Sequence, residues 1–403
     1  MNIDNYTNIA YEKRGQCMIC GKKADAPLID LPDFPITEIY IRQKPHKKAG
    51  FVDQGFYFCE KCGHGQMQNV IDINLQYGGA DKYHFRTSAS RTAIESVDVF
   101  LMFFNKIMKS RKMGTIVEIG CNDLYLLKSL KGKAYKLIGI DPILKGKEKE
   151  CSKNNIIAIG EFYEDANISE KIDVIICKDT LEHLSDPKQM FNKMVDLASD
   201  DTILFFEIPL LDALITSCRF DQVYHQHLNL FSFQSIIYIL KQYGFKLLDY
   251  TIDISHLGSI IIAFKKARKG WKYQRKIREM TSGEILDSYE VFKSNMSATN
   301  RRLLKHKNEQ RYGYGAALML PVLSYYLKND LSCLKCIIDD DKSKEGLYYI
   351  NLPVSIKTMA TIKDIQDSVV LITAISSMNN VRKIMQKLFQ LNPKHIILPL
   401  NTI

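Results

Sequence analysis

No stretch of this 403-residue sequence stays apolar over the ~20 residues that a membrane span needs. The longest runs, Ile203–Leu211 and Val369–Ile375, are far shorter. The opening Met1-Asn-Ile-Asp-Asn has neither a basic n-region nor an apolar h-region, so no signal peptide is expected. Internal repeats and low-complexity tracts are also missing. A disulfide framework belongs to small secreted domains, and the ten cysteines do not suggest one. Four fall into two Cys-x-x-Cys pairs and the rest are scattered among apolar residues. These absences predict a protein of the reducing cytoplasm with no membrane partner.

What is present fits a globular chain. Hydrophobic residues make up 46% and charged residues 25%, which excludes wholesale disorder and fibrous architectures. At ~150 residues per domain, the length predicts two or three domains. Residues 1–80 read as a small loop-rich module with Pro27, Pro32, Pro35 and Pro45. Over residues 81–265, strand-like runs (Thr115-Ile-Val-Glu-Ile-Gly, Lys136-Leu-Ile-Gly-Ile-Asp, Asp173-Val-Ile-Ile-Cys, Thr202-Ile-Leu-Phe-Phe-Glu-Ile) alternate with helical patterns. Near-continuous apolar strands with helices between them predict an α/β fold built on a parallel, Rossmann-like sheet. Residues 266–309 read as a charged helical connector, and residues 310–403 as a second, C-terminal α/β domain.

The net charge of +10 is compatible with a nucleic-acid partner, an acidic small substrate or a solvated helix. Its distribution narrows the choice: between Lys265 and Arg311, 14 Lys and Arg face five acids, a local +9. The basic excess is therefore a property of the connector, either a solvated helix face or a strip that attracts a sugar diphosphate. Near the cysteine pairs only Lys44, His46, Lys47 and Lys48 form a short basic loop, so no nucleic-acid partner is expected.

Cys17-Met-Ile-Cys20-Gly and Cys59-Glu-Lys-Cys62-Gly are separated by 38 residues. Each pair can present two thiolates on a tight knuckle, and four thiolates make a closed structural Zn²⁺ site. Neither pair opens a helix after a strand in thioredoxin fashion, so a redox role is not expected.

After the strand containing Glu118, the chain runs Gly120-Cys-Asn122-Asp123 into an apolar-periodic helix start. About 20 residues further on, a second strand ends in Gly139-Ile-Asp141-Pro142. A small residue lets a ligand approach the first strand, and the acid of the second accepts hydrogen bonds from a ribose diol. With neither G-x-G-x-x-G nor a Walker loop present, a ribose without a pyrophosphate fits best, and S-adenosylmethionine is the candidate. The pattern is similar to the first two motifs of class I methyltransferases. Asp173-Val-Ile-Ile-Cys-Lys178-Asp179-Thr-Leu-Glu182-His183 resembles their fourth-strand motif, which lines the donor cleft. Glu161 and Phe162, after Asn155-Ile-Ile-Ala-Ile, are placed to meet an adenine ring.

Tyr224-His225-Gln226-His227 packs three polar ring-bearing residues into four positions between apolar segments. They cannot all point into a core, and histidine, with its pKa of ~6.5, is the natural proton acceptor at neutral pH. A metal at these histidines is not expected, because no carboxylate lies at ligand spacing nearby in the sequence.

With these motifs in order, the chain resembles the sugar C-methyltransferases of deoxysugar biosynthesis over nearly its whole length. The shared features are the cysteine pairs, Tyr83-His-Phe85-Arg-Thr-Ser-Ala-Ser90, Glu118 to Asp141, Tyr224-His-Gln-His227 and Gly313-Tyr314-Gly315-Ala-Ala317. The resemblance implies a zinc module, a class I methyltransferase core and a C-terminal α/β domain. The implied acceptor is a nucleotide-linked 4-keto-deoxysugar. It also implies that His227 is the base removing the proton beside the ketone, that Tyr224 bonds the sugar or enolate, and that His183 lines the same pocket with His225 and Gln226. Tyr83, Phe85 and the Gly313–Gly315 turn fall on the substrate side. There the glycine N–H groups either approach a phosphate or belong to a packed turn. Gln226 stands where the family has Glu, Leu124 where it has Gly, and Leu318-Met-Leu where it has Lys and Gly. These departures suit a divergent acceptor, and the alternative reading is O-methylation of a sugar hydroxyl by the same base. Monomer and homodimer are equally compatible with the sequence.

Overall fold

The computed structural model describes residues 3–72, 75, 85–153, 155–254, 258–268, 277–375 and 377–399. Tyr83 lies outside the described residues, as do Lys269, Lys272, Arg275 and Lys276 of the basic connector. In the N-terminal module, β1 (Ile29–Pro35), β2 (Phe51–Cys59) and β3 (His64–Met67) form an antiparallel ladder.

Five strands then build the core: β4 (Met113–Ile119), β5 (Ala134–Ile140), β6 (Ile156–Ile159), β7 (Val174–Lys178) and β8 (Ile203–Pro209). The chain next returns to the N-terminal module. There β9 (Asn229–Leu230) pairs antiparallel with β3, matching Asn229 to Gln66 and Leu230 to Gly65. β10 (Phe245–Asp253) and β11 (Ser259–Lys266) complete a seven-stranded core sheet of order β6-β5-β4-β7-β8-β11-β10. The first five strands are parallel, β11 runs antiparallel to both of its neighbours, and β10 again runs in the direction of the first five. This is the class I methyltransferase arrangement expected from the sequence. Strand order reverses between β4 and β7, and ligands of open α/β sheets bind beyond the carboxyl ends at such a switch point.

Every residue of β7 is buried, as a strand covered on both faces requires. One cover is α1 (Arg91–Met108), capped by the Ser90 side chain, which accepts from Ala93 N–H. It turns Val97, Phe100, Phe103, Phe104 and Met108 inward, and Phe104 meets Phe205 of β8 at a centroid distance of 5.0 Å.

α2 (Ser282–Lys305) starts with a Thr281/Glu284 capping box. Ile285, Tyr289, Phe292, Met296, Thr299 and Leu303 form its buried stripe, while Arg301, Arg302 and Lys305 are exposed. The described part of the connector thus carries these charges on a solvated helix face. The C-terminal sheet has the order β14-β13-β12-β15-β16, all parallel, from β12 (Gln310–Tyr314), β13 (Ile337–Ile338), β14 (Ile356–Lys357), β15 (Ser368–Ile372) and β16 (His395–Ile397).

The N-terminal module and the C-terminal domain share one hydrophobic cluster with residues 211–230. Phe34 of β1 lies 4.9 Å from the Tyr325 ring, and Tyr40 and Ile41 pair with Tyr349 and Tyr348. No helix among the described residues is long and apolar enough to cross a membrane.

Candidate active site

At the carboxyl end of β4 the backbone enters a left-handed turn. Gly120 has φ +74°, and a Cβ there would collide with Thr180 Oγ1, so only glycine fits. Asn122 and Leu124 follow at φ +47° and +65°. Leu124 holds this glycine-favouring conformation because its side chain is buried under Gly139, whose missing Cβ leaves the room. Asp141 Oδ2 accepts from Asn122 N–H at 2.8 Å and Oδ1 from Ile143 N–H at 3.0 Å, with Pro142 opening the short turn behind it. Burial raises the Asp141 pKa against the pull of these two donors. Burial also pushes Glu118 well above the carboxylate range; Lys178 opposes this, while Asp141 and Asp123 add to it.

The side chains of Asn122 and Asp123 do not face only a ligand. Asn122 Oδ1 accepts from Thr87 N–H, Asn122 Nδ2 donates to Phe85 C=O, and Asp123 Oδ2 accepts from Ser88 N–H. They tether the segment after Phe85, whose ring is 40% exposed, over the turn. Glu161 and Phe162 lie beyond β6 on the same sheet end, and Phe162 is 48% exposed.

Lys178, at the end of β7, pairs with Asp179 at 2.6 Å and with Glu207 of β8 at 3.0 Å, and its Nζ donates to Ser96 Oγ. Burial alone would lower the Lys178 pKa, but the two carboxylates raise it. Glu207 is pushed up to about 7, first by burial, with Lys178 pulling it back. Sequence reasoning missed Glu207, although an acid inside the apolar run Ile203–Leu211 was the available signal.

The histidine motif is a turn, with His227 N–H donating to Tyr224 C=O at 3.0 Å. A turn brings its first and fourth residues together and sends its two central ones elsewhere. Tyr224 OH accordingly lies 3.1 Å from His227 Nε2. His227 Nδ1 is 3.1 Å from Gln222 C=O, an obligate acceptor, so Nδ1 carries the proton and Nε2 a basic lone pair. His183 comes in from the loop after β7, its ring centroid 5.4 Å from that of His227 and its Nδ1–H donating to Gln226 C=O at 2.8 Å.

His225 and Gln226, at the tip of the turn, leave this pair. His225 is buried between Gln54 Nε2 at 3.0 Å and Phe34 C=O at 3.2 Å, which makes it a strut into the N-terminal module. This corrects the catalytic role expected for it. Gln226 Nε2 donates to Glu38 Oε2 at 3.4 Å. The fold brings up a carboxylate from outside the motif's own sequence: ligand atoms of Glu182, His183 and His227 all fall within 4.8 Å of one another.

Arg14, missed from the sequence, clamps the loops around the site. Its guanidinium donates to the carbonyls of Leu228, Leu184 and Ser185 and to Asn229 Oδ1.

In the C-terminal domain, Gly313 N–H donates to Cys336 C=O and Gly315 N–H to Ile338 C=O. A Cβ on Gly313 would sit 2.5 Å from Ile337 Cδ1, and one on Gly315 would strike Ala374. Both glycines serve close packing, and their N–H groups are committed within the fold rather than offered to a phosphate. Tyr314 OH donates to Asp340 Oδ1.

The sulfurs of Cys17, Cys20, Cys59 and Cys62 converge within 4.8 Å, with Cys17–Cys62 at 3.6 Å and Cys20–Cys59 at 3.4 Å. A tetrahedron with ~2.3 Å Zn–S bonds has S–S edges of ~3.8 Å, so these four sulfurs fit zinc with little adjustment.

Three family models cover the chain in sequence: a zinc binding domain over residues 17–77, a methyltransferase domain over 90–250 and a C-methyltransferase C-terminal domain over 255–399. The chain belongs to the C-methyltransferase family. Its similarity to the C-methyltransferase NovU of Streptomyces niveus is 23% identity over 234 residues, 56% of this chain and 54% of that protein. The tRNA U34 carboxymethyltransferase of Campylobacter lari is 29% identical over 107 residues, 25% of this chain and 37% of that one. The chain thus spans about half the length of the first relative and about a third of the second. The N-methyltransferase NodS from Bradyrhizobium japonicum, solved with S-adenosyl-L-homocysteine, superposes on 48% of this chain and 96% of that one, with 15% identity and a TM-score of 0.37.

S-adenosylmethionine is the donor that the methyltransferase domain over residues 90–250 implies, and when bound it would supply a methyl group activated by a positive sulfonium. The residues present fit it. Each Asp141 oxygen accepts one backbone N–H and keeps a second lone pair for a ribose hydroxyl. The Asp123 and Asp141 carboxyls give the turn a negative character suited to a cationic donor, beside a Glu118 that burial keeps neutral. The four cysteines would hold zinc as a structural ion, closing a knuckle whose Cys17, Cys59 and Cys62 belong to the same buried cluster as residues of the core sheet.

Proposed function

We propose that the enzyme methylates a nucleotide-linked deoxysugar at the carbon beside a 4-keto group, with His227 as general base. The observation that carries this reading is the His227 tautomer: Nδ1–H is fixed on Gln222 C=O, which leaves Nε2 as the proton acceptor beside Tyr224 OH. His227 Nε2 takes the proton from the acidic carbon, and the electron pair moves onto the ketone as an enolate. For this, Tyr224 O–H first turns from the Nε2 lone pair to the ketone oxygen, where it goes on to hold the enolate. The enolate carbon then takes the methyl group as the S–CH3 bond breaks and its electron pair stays on sulfur as a neutral thioether, the ketone re-forms, and the proton remains on His227. Burial lowers the pKa of His183, which keeps a neutral imidazole beside the reacting one.

The test pairs labelled donor with nucleotide-linked 4-keto sugars and with their reduced 4-hydroxy counterparts. Transfer that requires the ketone is expected, whereas equal transfer to the reduced sugars would reject carbon as the acceptor. His227→Ala is expected to lower turnover by ~10²-fold or more while donor binding by calorimetry survives. Unimpaired turnover would remove His227 from the mechanism.

A further inference from the structure

Glu38 has φ +68° in a residue that is neither glycine nor asparagine. Such a conformation persists only where the surroundings over-determine it. Here they do: Asn351 Nδ2 donates to Ile36 C=O at 2.8 Å, Ile350 N–H donates to Ile39 C=O at 3.0 Å, and Thr37 and Ile39 are buried on either side. Both clamps come from the C-terminal domain. The side chain so aimed accepts from Gln226 Nε2, and the carbonyl of Gln226 holds the Nδ1–H of His183. Gln226 also directly precedes His227. A carboxylate from the N-terminal module therefore ends on the one motif residue that is bonded to one active-site histidine and adjacent in sequence to the other.

We propose that Glu38 is a positioning residue of the acceptor site, supplying through Gln226 the negative charge that the histidine motif does not itself carry. The proposal rests on the reading of His227 as base. When His227 takes a proton, an imidazolium forms, and a nearby carboxylate favours the charged form. Among the described residues, Asp179 acts on His183 and favours its charged form, while burial raises the Glu38 pKa and Gln226 and Lys344 oppose that rise. Glu182 Oε1 lies 3.8 Å from His183 Nε2, Tyr224 faces His227, and Lys344 acts on Glu38 from the C-terminal domain while its Nζ donates to Ala316 C=O. Of these carboxyls, Glu38 is the one that reaches the motif through a side chain within it.

The test uses zinc-loaded full-length protein and three variants: Glu38→Gln, Glu38→Asp, and the exchange Glu38→Gln/Gln226→Glu, which moves the carboxylate onto the motif. Glu38→Gln is expected to lower kcat ~10-fold or more, with donor affinity and zinc content unchanged and little change in the acceptor KM. Glu38→Asp should fall between it and the wild type, and the exchange should return kcat to within about threefold of the wild type. An unchanged kcat in Glu38→Gln, or an exchange as impaired as the single variant with donor binding intact, would overturn the proposal. Imidazole titration by NMR needs no acceptor. His183 or His227 should titrate about half a unit or more lower in Glu38→Gln and recover in the exchange. No displacement refutes the role of Glu38, whereas displacement without methylation of any 4-keto sugar refutes the acceptor reading instead.

Discussion

Acidification should weaken this protein through His225 in a narrow and predictable window. Gln54 Oε1 accepts from Gly55 N–H at 2.9 Å and Asn69 N–H at 2.8 Å, which fixes the amide so that Nε2 faces His225 Nδ1 as a donor. His225 is therefore neutral, with its proton on Nε2 and donated to Phe34 C=O. Burial pushes its pKa down from 6.5 to about 4. In the unfolded chain the same ring binds a proton below ~6.5. Stability is then complete above pH ~6.5, falls as the pH drops toward 4, and levels off below that, a total of about 3 kcal/mol at ~1.4 kcal/mol per unit. At pH 5 about 2 kcal/mol of it is already gone. The assay is urea unfolding at pH 7.5 and pH 5 for the wild type and His225→Gln, with zinc occupancy matched so that thiolate protonation cancels between them. The glutamine amide can still donate to Phe34 but does not titrate. The wild type should lose about 2 kcal/mol more than the variant across that interval. Parallel losses within about 0.5 kcal/mol would show that His225 is not a buried neutral strut.

Two further substitutions probe the parts of the site that the backbone holds. Gly120→Ala places a Cβ into Thr180 Oγ1 at a φ of +74°. It should weaken donor binding about tenfold or more by calorimetry, and an unchanged affinity would mean that the turn is not the donor cradle. Arg14→Ala removes the donors to three carbonyls and the Asn229 amide. The expected cost is about 3 kcal/mol in chemical denaturation, and a loss below about 1 kcal/mol would mean that water replaces the clamp.

Features written in contiguous residues were legible in the sequence. The core strands announced themselves as apolar runs, Asp141 by its distance from Gly120, and the zinc site by a spacing that only thiolate chemistry explains. What stayed hidden depends on pairing across the chain. The two-residue strand β9 has no pattern of its own and exists because β3 offers it an edge. Arg14 and Glu38 look like surface charges until residues some 200 positions away come beside them. His225 and His227 are indistinguishable by type, and only the turn that closes between Tyr224 and His227 sends them to different neighbours. Gly313 and Gly315 left two readings open, and the side chains of Ile337 and Ala374 decide between them.

The pairing of β9 with β3 also bears on the order in which the molecule can be made. Domains tend to fold as they leave the ribosome, the N-terminal part first. Here the cysteines and three strands emerge early, but the edge of their sheet stays bare until Asn229 and Leu230 have been synthesised. By then the first five core strands are already out, so the N-terminal sheet is completed from within the core that follows it. A chimera that exchanged residues 1–80 alone would inherit a sheet whose last strand belongs to another protein, and residues 211–231 would have to travel with it.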